Sequence, residues 1–160
     1  MASSALAGQN FLNARFEPAR TPVDWLSRDI RVVDAFLNDP LCFAELQPAA
    51  YASFLAAGAR LSDPVNLRKI RDDLPIYLFS GSEDPVGQQL EGVRNLVQRY
   101  QKAGIHKISH DFYEDGRHEM LNEINCGEVW THLLDWISAV LEGRKVGPSR
   151  LGPTGKSRII

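Results

Sequence analysis

The pattern of apolar and polar positions divides the chain into helical segments and one strand–helix–strand unit. Residues 75–80 (PIYLFS) form a short apolar run that stops at Gly81, as expected for a strand buried on both faces of a parallel sheet. Apolar side chains then recur at helical spacing over residues 88–103, and Gly104 can adopt the positive φ that ends a helix. Residues 107–113 mix apolar and polar positions, which predicts a weaker strand nearer the sheet edge. The pattern therefore predicts a βαβ unit.

Three shorter helical patterns precede this unit, within residues 21–71. The first begins at Thr21 and Pro22, which suit the N-cap and the first position of a helix. The second covers residues 48–58, and the third runs from Asp63 to Ile70. Their aromatic and leucine side chains fit two interpretations, which are ordinary core packing and the lining of an apolar cleft beneath a cap.

A last helix follows the second strand. Asn125 and Glu128 have the spacing of a capping box, and the apolar stripe that follows them stops at Gly143. Residues 144–160 are rich in Gly, Pro, Ser and cations and have no periodicity, so we expect a disordered basic tail.

Composition adds limits on the class of protein. A length of 160 residues with 44% hydrophobic and 24% charged residues is ordinary for one globular domain. The net charge of −2 includes a cationic tail, so the rest of the chain is more acidic and no nucleic-acid partner is predicted. Cys42 and Cys126 form no metal-binding spacing and are predicted to be reduced thiols, with a single disulfide left open. No run has transmembrane length and no signal peptide is evident, so we expect a cytoplasmic protein.

Two side chains that can share a proton follow the two predicted strands. Asp84 lies in an acidic turn after the first strand, and His118 follows the turn at residues 114–116 after the second. Since the loops after parallel strands open at the same edge of a sheet, these side chains can meet there. A carboxylate that accepts the Nδ1 proton of a histidine leaves Nε2 free to act as base and then as acid. The alternatives are an aspartate that bonds only its own turn and a solvated loop histidine.

The residues around these two turns resemble a known family. Residues 81–87 (GSEDPVG) and 113–123 (YEDGRHEMLNE) are similar to the C-terminal half of an α/β-hydrolase of the monoacylglycerol lipase, lysophospholipase and serine aminopeptidase S33 group. Residues 20–29 and 39–42 resemble the cap region of bacterial members, and the likeness covers about residues 8–142.

This resemblance implies an α/β fold whose chemistry is the hydrolysis of carboxylic esters, monoacylglycerol-like or lysophospholipid-like, without a cofactor. It implies that Asp84 is the acid and His118 the histidine of a catalytic triad. It also suggests a division into a lead-in (1–20), a helical cap-like segment (21–72), a C-terminal α/β-hydrolase portion (73–143) and the tail (144–160).

The chain departs from the family pattern at the nucleophile. α/β-Hydrolases place a G-x-S-x-G serine ahead of the acid and the histidine, and these 160 residues contain no such motif and no oxyanion-hole loop. Ser82 lies on the acid turn and is not predicted to attack a substrate, so the chain supplies no nucleophile. Loss of the triad serine costs on the order of 10⁶ in rate in a protease. We therefore expect this chain to be nearly inactive alone.

Two further interpretations concern partners. A chain without a nucleophile can instead be a non-catalytic remnant that serves as a binding or assembly module. A sheet of two parallel strands exposes unpaired edges, so we expect pairing with a missing first half, with a second copy, or aggregation. The expected small-molecule partner is an acyl ester or a lipid-like substrate.

The other histidines and a partial metal-binding motif do not indicate a further site. His118 and Glu119 match the start of the zinc motif H-E-x-x-H, but its second histidine is replaced by Asn122, so no metal site is predicted. Tyr113 and Arg117 are predicted to shape the site without transferring protons. The remaining histidines have no acidic partner at a telling spacing and are predicted to be surface or strand residues: His106, His110 and His132.

Overall fold

The structure, a computed structural model, describes residues 10–42 and 47–146. The start of the predicted lead-in and most of the predicted basic tail lie outside these residues. In chain order the helices and strands are α1 (Asn10–Asn13), α2 (Ile30–Asn38), α3 (Pro48–Ser62), α4 (Pro64–Leu67), β1 (Ile76–Gly81), α5 (Glu91–Lys102), β2 (Ile108–Tyr113) and α6 (Cys126–Leu141). Two short 3₁₀ helices are Ala14–Phe16 and Met120–Asn122.

The predicted βαβ unit is confirmed. β1 and β2 are parallel neighbours, with Ile76 opposite Ile108 and Gly81 opposite Tyr113. Both strands therefore end at the same edge of the sheet, and the loops that follow them leave from adjacent positions.

The crossover helix α5 begins at Glu91 rather than at residue 88. Residues 88–90 have positive φ values of 52°, 48° and 73°, so the chain makes a left-handed passage before the helix can start. The predicted end is confirmed, because Gly104 has a φ of 97° just past the last turn.

Helices α5 and α6 lie on opposite faces of the sheet. Trp136 of α6 stacks on Tyr77 of β1 with ring centroids 5.4 Å apart. The guanidinium of Arg94 in α5 lies 4.9 Å from the ring centre of Phe112 in β2. In the pairing register Phe112 is opposite Ser80, and side chains alternate between faces along a strand, so these two contacts are on opposite sides. The order helix, sheet, helix is that of an α/β fold.

Strand burial differs from the prediction. Residues 76–79 of β1 are only half-buried, and β2, expected to be the more exposed strand, is the more deeply buried one. β1 is less buried than predicted because the described sheet has two strands, so β1 lacks the second neighbour that a strand in the middle of a parallel sheet would have.

The first predicted helix begins later than expected. Thr21 does not cap a helix, since residues 21–26 form turns, and α2 starts at Ile30 with the Asp29 carboxylate accepting the amide hydrogen of Arg31 at 2.9 Å. The sequence TPVD misled the prediction because Thr21 and Asp24 bond each other inside the turn. These turns carry Val23, Trp25 and Leu26, which pack with Val33 of α2 in a buried apolar cluster.

Helices α3 and α4 form with changed lengths. α3 continues to Ser62 rather than residue 58, and α4 stops at Leu67 after the Asp63 side chain caps it by accepting from the Val65 amide at 2.8 Å. No residue of α3 is buried among the described residues, and Phe54 is 69% exposed. The core-packing interpretation of these aromatic side chains is therefore wrong for this part of the chain.

The final helix starts where predicted but without the predicted cap. Asn125 precedes α6, yet its side chain donates to the Glu128 carboxylate at 3.1 Å and makes no capping bond to the backbone. Val129 is fully buried on the inner face of the helix, and Gly143 ends it with a φ of 66°. Trp130 is 43% exposed, whereas Trp136 packs on the sheet against Tyr77.

Candidate active site

The acid turn follows β1 directly and holds Asp84 by its own backbone. Asp84 Oδ1 accepts the amide hydrogen of Val86 at 2.9 Å, and the Asp84 amide donates to the Gly81 carbonyl at 3.3 Å. A Cβ at Gly87 would lie 3.2 Å from Asp84 Oδ2, so glycine gives the carboxylate room. The side chain is buried, with 7% of the residue exposed.

The histidine turn follows β2 and is joined to the acid turn by hydrogen bonds. The Ser82 amide donates to the Tyr113 carbonyl at 2.9 Å, and the Glu83 amide donates to the Gly116 carbonyl at 2.9 Å. In return the Asp115 amide donates to Ser82 Oγ at 2.9 Å. Ser82 thus has a structural role in linking the two turns.

The structure brings Asp84 and His118 together. His118 Nδ1 lies 3.0 Å from Asp84 Oδ1, and the histidine side chain remains 36% exposed while the carboxylate side chain is 10% exposed. The carboxylate bonds its own turn and the histidine at once, so the alternative in which Asp84 bonds only its own turn is wrong. With Nδ1–H donating to Asp84, the Nε2 atom is the nitrogen left for proton exchange.

Each member of the pair changes the other's protonation. Burial raises the pKa of the Asp84 carboxyl, but hydrogen bonding and charge from His118, with the amide of Val86, outweigh burial and set that pKa below its ordinary value. The hydrogen bond to Asp84 raises the pKa of His118, against the opposing effect of burial. An ionised carboxylate and a more basic imidazole result.

The N-terminal segment, which here means residues 24–28, also supports the histidine turn. The amides of His118 and Glu119 donate to the carbonyls of Trp25 and Leu26 at 3.3 and 2.8 Å. The Trp25 ring lies 5.1 Å from the His118 ring, centre to centre. The backbone of the histidine turn is therefore fixed by residues that lie far from it in the sequence.

Arg117 completes this support. Its guanidinium donates to the carbonyls of Asp24 and Ser27, the latter at 3.2 Å, and lies 4.3 Å from the ring centre of Phe16. The prediction that Arg117 shapes the site agrees with this geometry. Sequence reasoning gave no role to Trp25 or to Glu123, since neither has a local pattern that connects it to His118.

One prediction about the remaining histidines is wrong. His132 has an acidic neighbour, because its Nδ1 lies 4.0 Å from Asp111 Oδ2 and 3.0 Å from the hydroxyl of Tyr113. Tyr77 donates to the same carboxylate at 2.7 Å, and burial followed by this hydrogen bond raises the pKa of Tyr77. Tyr113 therefore belongs to a buried polar network beneath α6, on the α6 face of the sheet.

The described residues contain neither a cluster of metal ligands nor a membrane-spanning helix. No group of three or more His, Cys, Asp or Glu side chains in them is arranged to hold a metal ion, and both cysteines are free thiols. None of the described helices combines the length and apolar character needed to cross a membrane. A cavity of about 380 Å³ is lined by residues of α4 and the C-terminal end of α5, at the opposite edge of the sheet from Asp84 and His118.

Comparisons with known proteins agree with this geometry. The fold matches a solved structure, a highly thermostable carboxyl esterase from Bacillus coagulans in complex with glycerol, with a TM-score of 0.67 and 25% sequence identity. The match covers 86% of this chain and 44% of the esterase chain, so the chain spans less than half of that protein. A comparison with curated proteins found no match. The family model described as serine aminopeptidase, S33, matches residues 2–125, and the chain therefore belongs to this α/β-hydrolase family.

Proposed function

We propose that this chain supplies the acid and the histidine of a serine hydrolase that cleaves carboxylic esters. The observation that supports the proposal best is the 3.0 Å contact between His118 Nδ1 and Asp84 Oδ1 at the edge where both parallel strands end. That edge is where α/β sheets bind ligands, and the contact orients the imidazole as a triad requires.

In the proposed reaction His118 Nε2 takes the proton of a serine hydroxyl as its oxygen attacks the ester carbonyl. His118 then gives this proton to the departing alkoxide, which leaves as the alcohol, and the acyl group stays on the serine. Water attacks the acyl-enzyme in a second round, with His118 again acting as base and then as acid. Asp84 remains ionised throughout and stabilises the imidazolium. The serine comes from a G-x-S-x-G segment that is not among these 160 residues.

For the substrate we propose an ester with an apolar acyl chain, monoacylglycerol-like or lysophospholipid-like. Tyr51, Phe54 and Leu55 of α3 are each more than half exposed, which is the kind of apolar surface that a cap over an acyl-binding cleft would present. The free thiols at Cys42 and Cys126 agree with a reducing compartment, and we propose the cytoplasm.

A second candidate function is that of a binding or assembly module without catalysis. It is favoured by the same exposed surface of α3, because a helix with no buried residue is ready to pack against another molecule. The two candidates differ in what they require of His118. Hydrolysis needs its imidazole, whereas assembly through α3 does not.

The test of the catalytic proposal is complementation. The chain is co-expressed with the part of the Bacillus coagulans esterase that it does not match, and hydrolysis of p-nitrophenyl butyrate is measured on the purified complex. We expect activity that is lost by a factor of about 10³ or more on His118→Ala. His106→Ala removes an exposed histidine and serves as the matched control, with activity retained. Hydrolysis that survives His118→Ala would rule out the proposed role.

A further inference from the structure

Glu123 is a buried carboxylate that the proposed reaction does not use. The residue is 1% exposed. Its Oε1 atom accepts the backbone amides of Arg28 and Arg117 at 3.1 and 3.0 Å. Its Oε2 atom accepts Arg28 Nε at 3.0 Å and the amide of Ile124 at 2.9 Å. Four donors thus converge on one side chain.

Such an arrangement is costly unless every donor is in place. A carboxylate removed from water loses its hydration, and only charge-assisted hydrogen bonds of good geometry compensate for that loss. Glu123 has them because Arg28 approaches from the N-terminal segment, and the Arg28 guanidinium also donates to Asn125 at 3.0 Å. The carboxylate therefore fixes two chain segments relative to each other.

These two segments are the ones that carry and support His118. Arg117, whose amide Glu123 holds, is the residue directly before the histidine. Residues 25–26 accept the amides of His118 and Glu119, and Arg28 lies two residues farther along the same segment. Glu123 holds the backbones of Arg28 and Arg117 close to each other. The Trp25 ring packs against the His118 ring.

We propose that Glu123 is a positioning residue. It holds the backbone of the histidine turn so that His118 Nδ1 remains hydrogen-bonded to Asp84 Oδ1. This inference rests on the proposed function. Glu123 does not touch the substrate and transfers no proton. When the carboxylate becomes an amide, one oxygen is left to accept from four donors, so the donors cannot all keep a partner. The turn then relaxes, and the imidazole spends part of its time away from Asp84.

The test measures His118 itself in the purified chain by ¹H–¹⁵N NMR, without reference to activity. The pKa of His118 is compared in wild type, Glu123→Gln and Asp84→Asn. We expect Glu123→Gln to move the pKa of His118 downward, part of the way toward the value in Asp84→Asn, since both weaken the same hydrogen bond. Glu114→Gln removes an exposed carboxylate from the same turn and is the control, with a change smaller than that of Glu123→Gln.

Arg28→Gln is the second variant, because Glu123→Gln can prevent folding. It removes the Nε donor but keeps the backbone amide, so a smaller downward shift of the His118 pKa is expected. A folded Glu123→Gln protein with the wild-type pKa at His118 would overturn the inference, as would an unfolded one accompanied by an unchanged pKa in Arg28→Gln. If Asp84→Asn itself leaves His118 unaltered, the Asp84–His118 pair of the proposed function has failed, which is a distinct result.

Discussion

Gly81 and Gly116 are in direct backbone contact: a Cβ on Gly81 would lie 2.0 Å from the Gly116 carbonyl oxygen. Gly81 ends β1 and Gly116 lies two residues before His118, so this contact sets how close the acid turn and the histidine turn can approach. No side chain of any size fits between them without separating the turns. The 3.0 Å distance from His118 Nδ1 to Asp84 Oδ1 depends on that approach.

The first prediction concerns this contact. Gly81→Ala is expected to lower the free energy of unfolding by on the order of 3 kcal/mol, because the added methyl group meets rigid backbone. Urea denaturation followed by circular dichroism measures the change. Gly58→Ala is the control, since a Cβ there meets nothing within 4 Å, and it should raise stability by about 0.5–1 kcal/mol. Equal stability of Gly81→Ala and wild type would show that the turns are not in contact.

The second prediction concerns pH. Folding raises the pKa of His118, so its contribution to stability is fully present below the unfolded pKa of about 6.5 and is lost as pH rises through the folded pKa. Asp84 has the opposite sign, with its contribution lost only as pH falls through its lowered folded pKa. The stability advantage of wild type over His118→Gln should therefore be larger at about pH 5.5 than at about pH 8.5. A difference that stays constant across this range would contradict the raised pKa.

The third prediction concerns the nucleophile. The purified chain is incubated with a fluorophosphonate, which modifies activated serines, and its intact mass is recorded. We expect no adduct, because Ser82 Oγ is engaged by the Asp115 amide and the sequence has no G-x-S-x-G. A stoichiometric adduct on one serine would identify a nucleophile within these residues and disprove the view that it lies elsewhere.

The fourth prediction tests the buried network beneath α6. Tyr77→Phe removes the hydroxyl that donates to Asp111, a residue only 3% exposed, and should lower the free energy of unfolding by about 1–3 kcal/mol. Tyr51→Phe, at a position 54% exposed, is the matched control and should have little effect. Thermal denaturation distinguishes the two variants. Equal melting temperatures would mean that the Tyr77 hydroxyl contributes nothing to stability.

The fifth prediction concerns the exposed face of α3. Phe54 is 69% exposed, and large apolar side chains at such positions promote association. We expect the purified chain to self-associate in light scattering as its concentration rises, and Phe54→Ser to reduce this association. A sharp monomeric peak for wild type at high concentration would argue against a partner-binding role for the helix.

The sequence predicts the βαβ unit well because each part of it is specified locally. The apolar run of β1, the helical spacing before Gly104 and the two polar turns are short patterns, and the parallel connection then brings Asp84 and His118 to the same edge. Burial was predicted less well. β1 has the composition of a central strand, but the described residues provide only one neighbour for it.

What the sequence could not reveal depends on contacts between distant residues. Glu123 and Arg28 pair across the whole α/β unit, and nothing near either residue marks the other. Asp111 and His132 meet because α6 returns over the sheet, which spacing along the chain does not encode. The wrong N-cap at Thr21 has a local cause, because a threonine in a turn can bond a nearby aspartate as readily as a helix terminus.

The most direct test of the Asp84–His118 pair is a ¹H–¹⁵N NMR titration of His118 in wild type and Asp84→Asn. We predict a wild-type pKa above about 6.5 that falls in Asp84→Asn, with the neutral imidazole of wild type carrying its proton on Nδ1. The same pKa in both proteins, with the neutral proton on Nε2, would contradict the account.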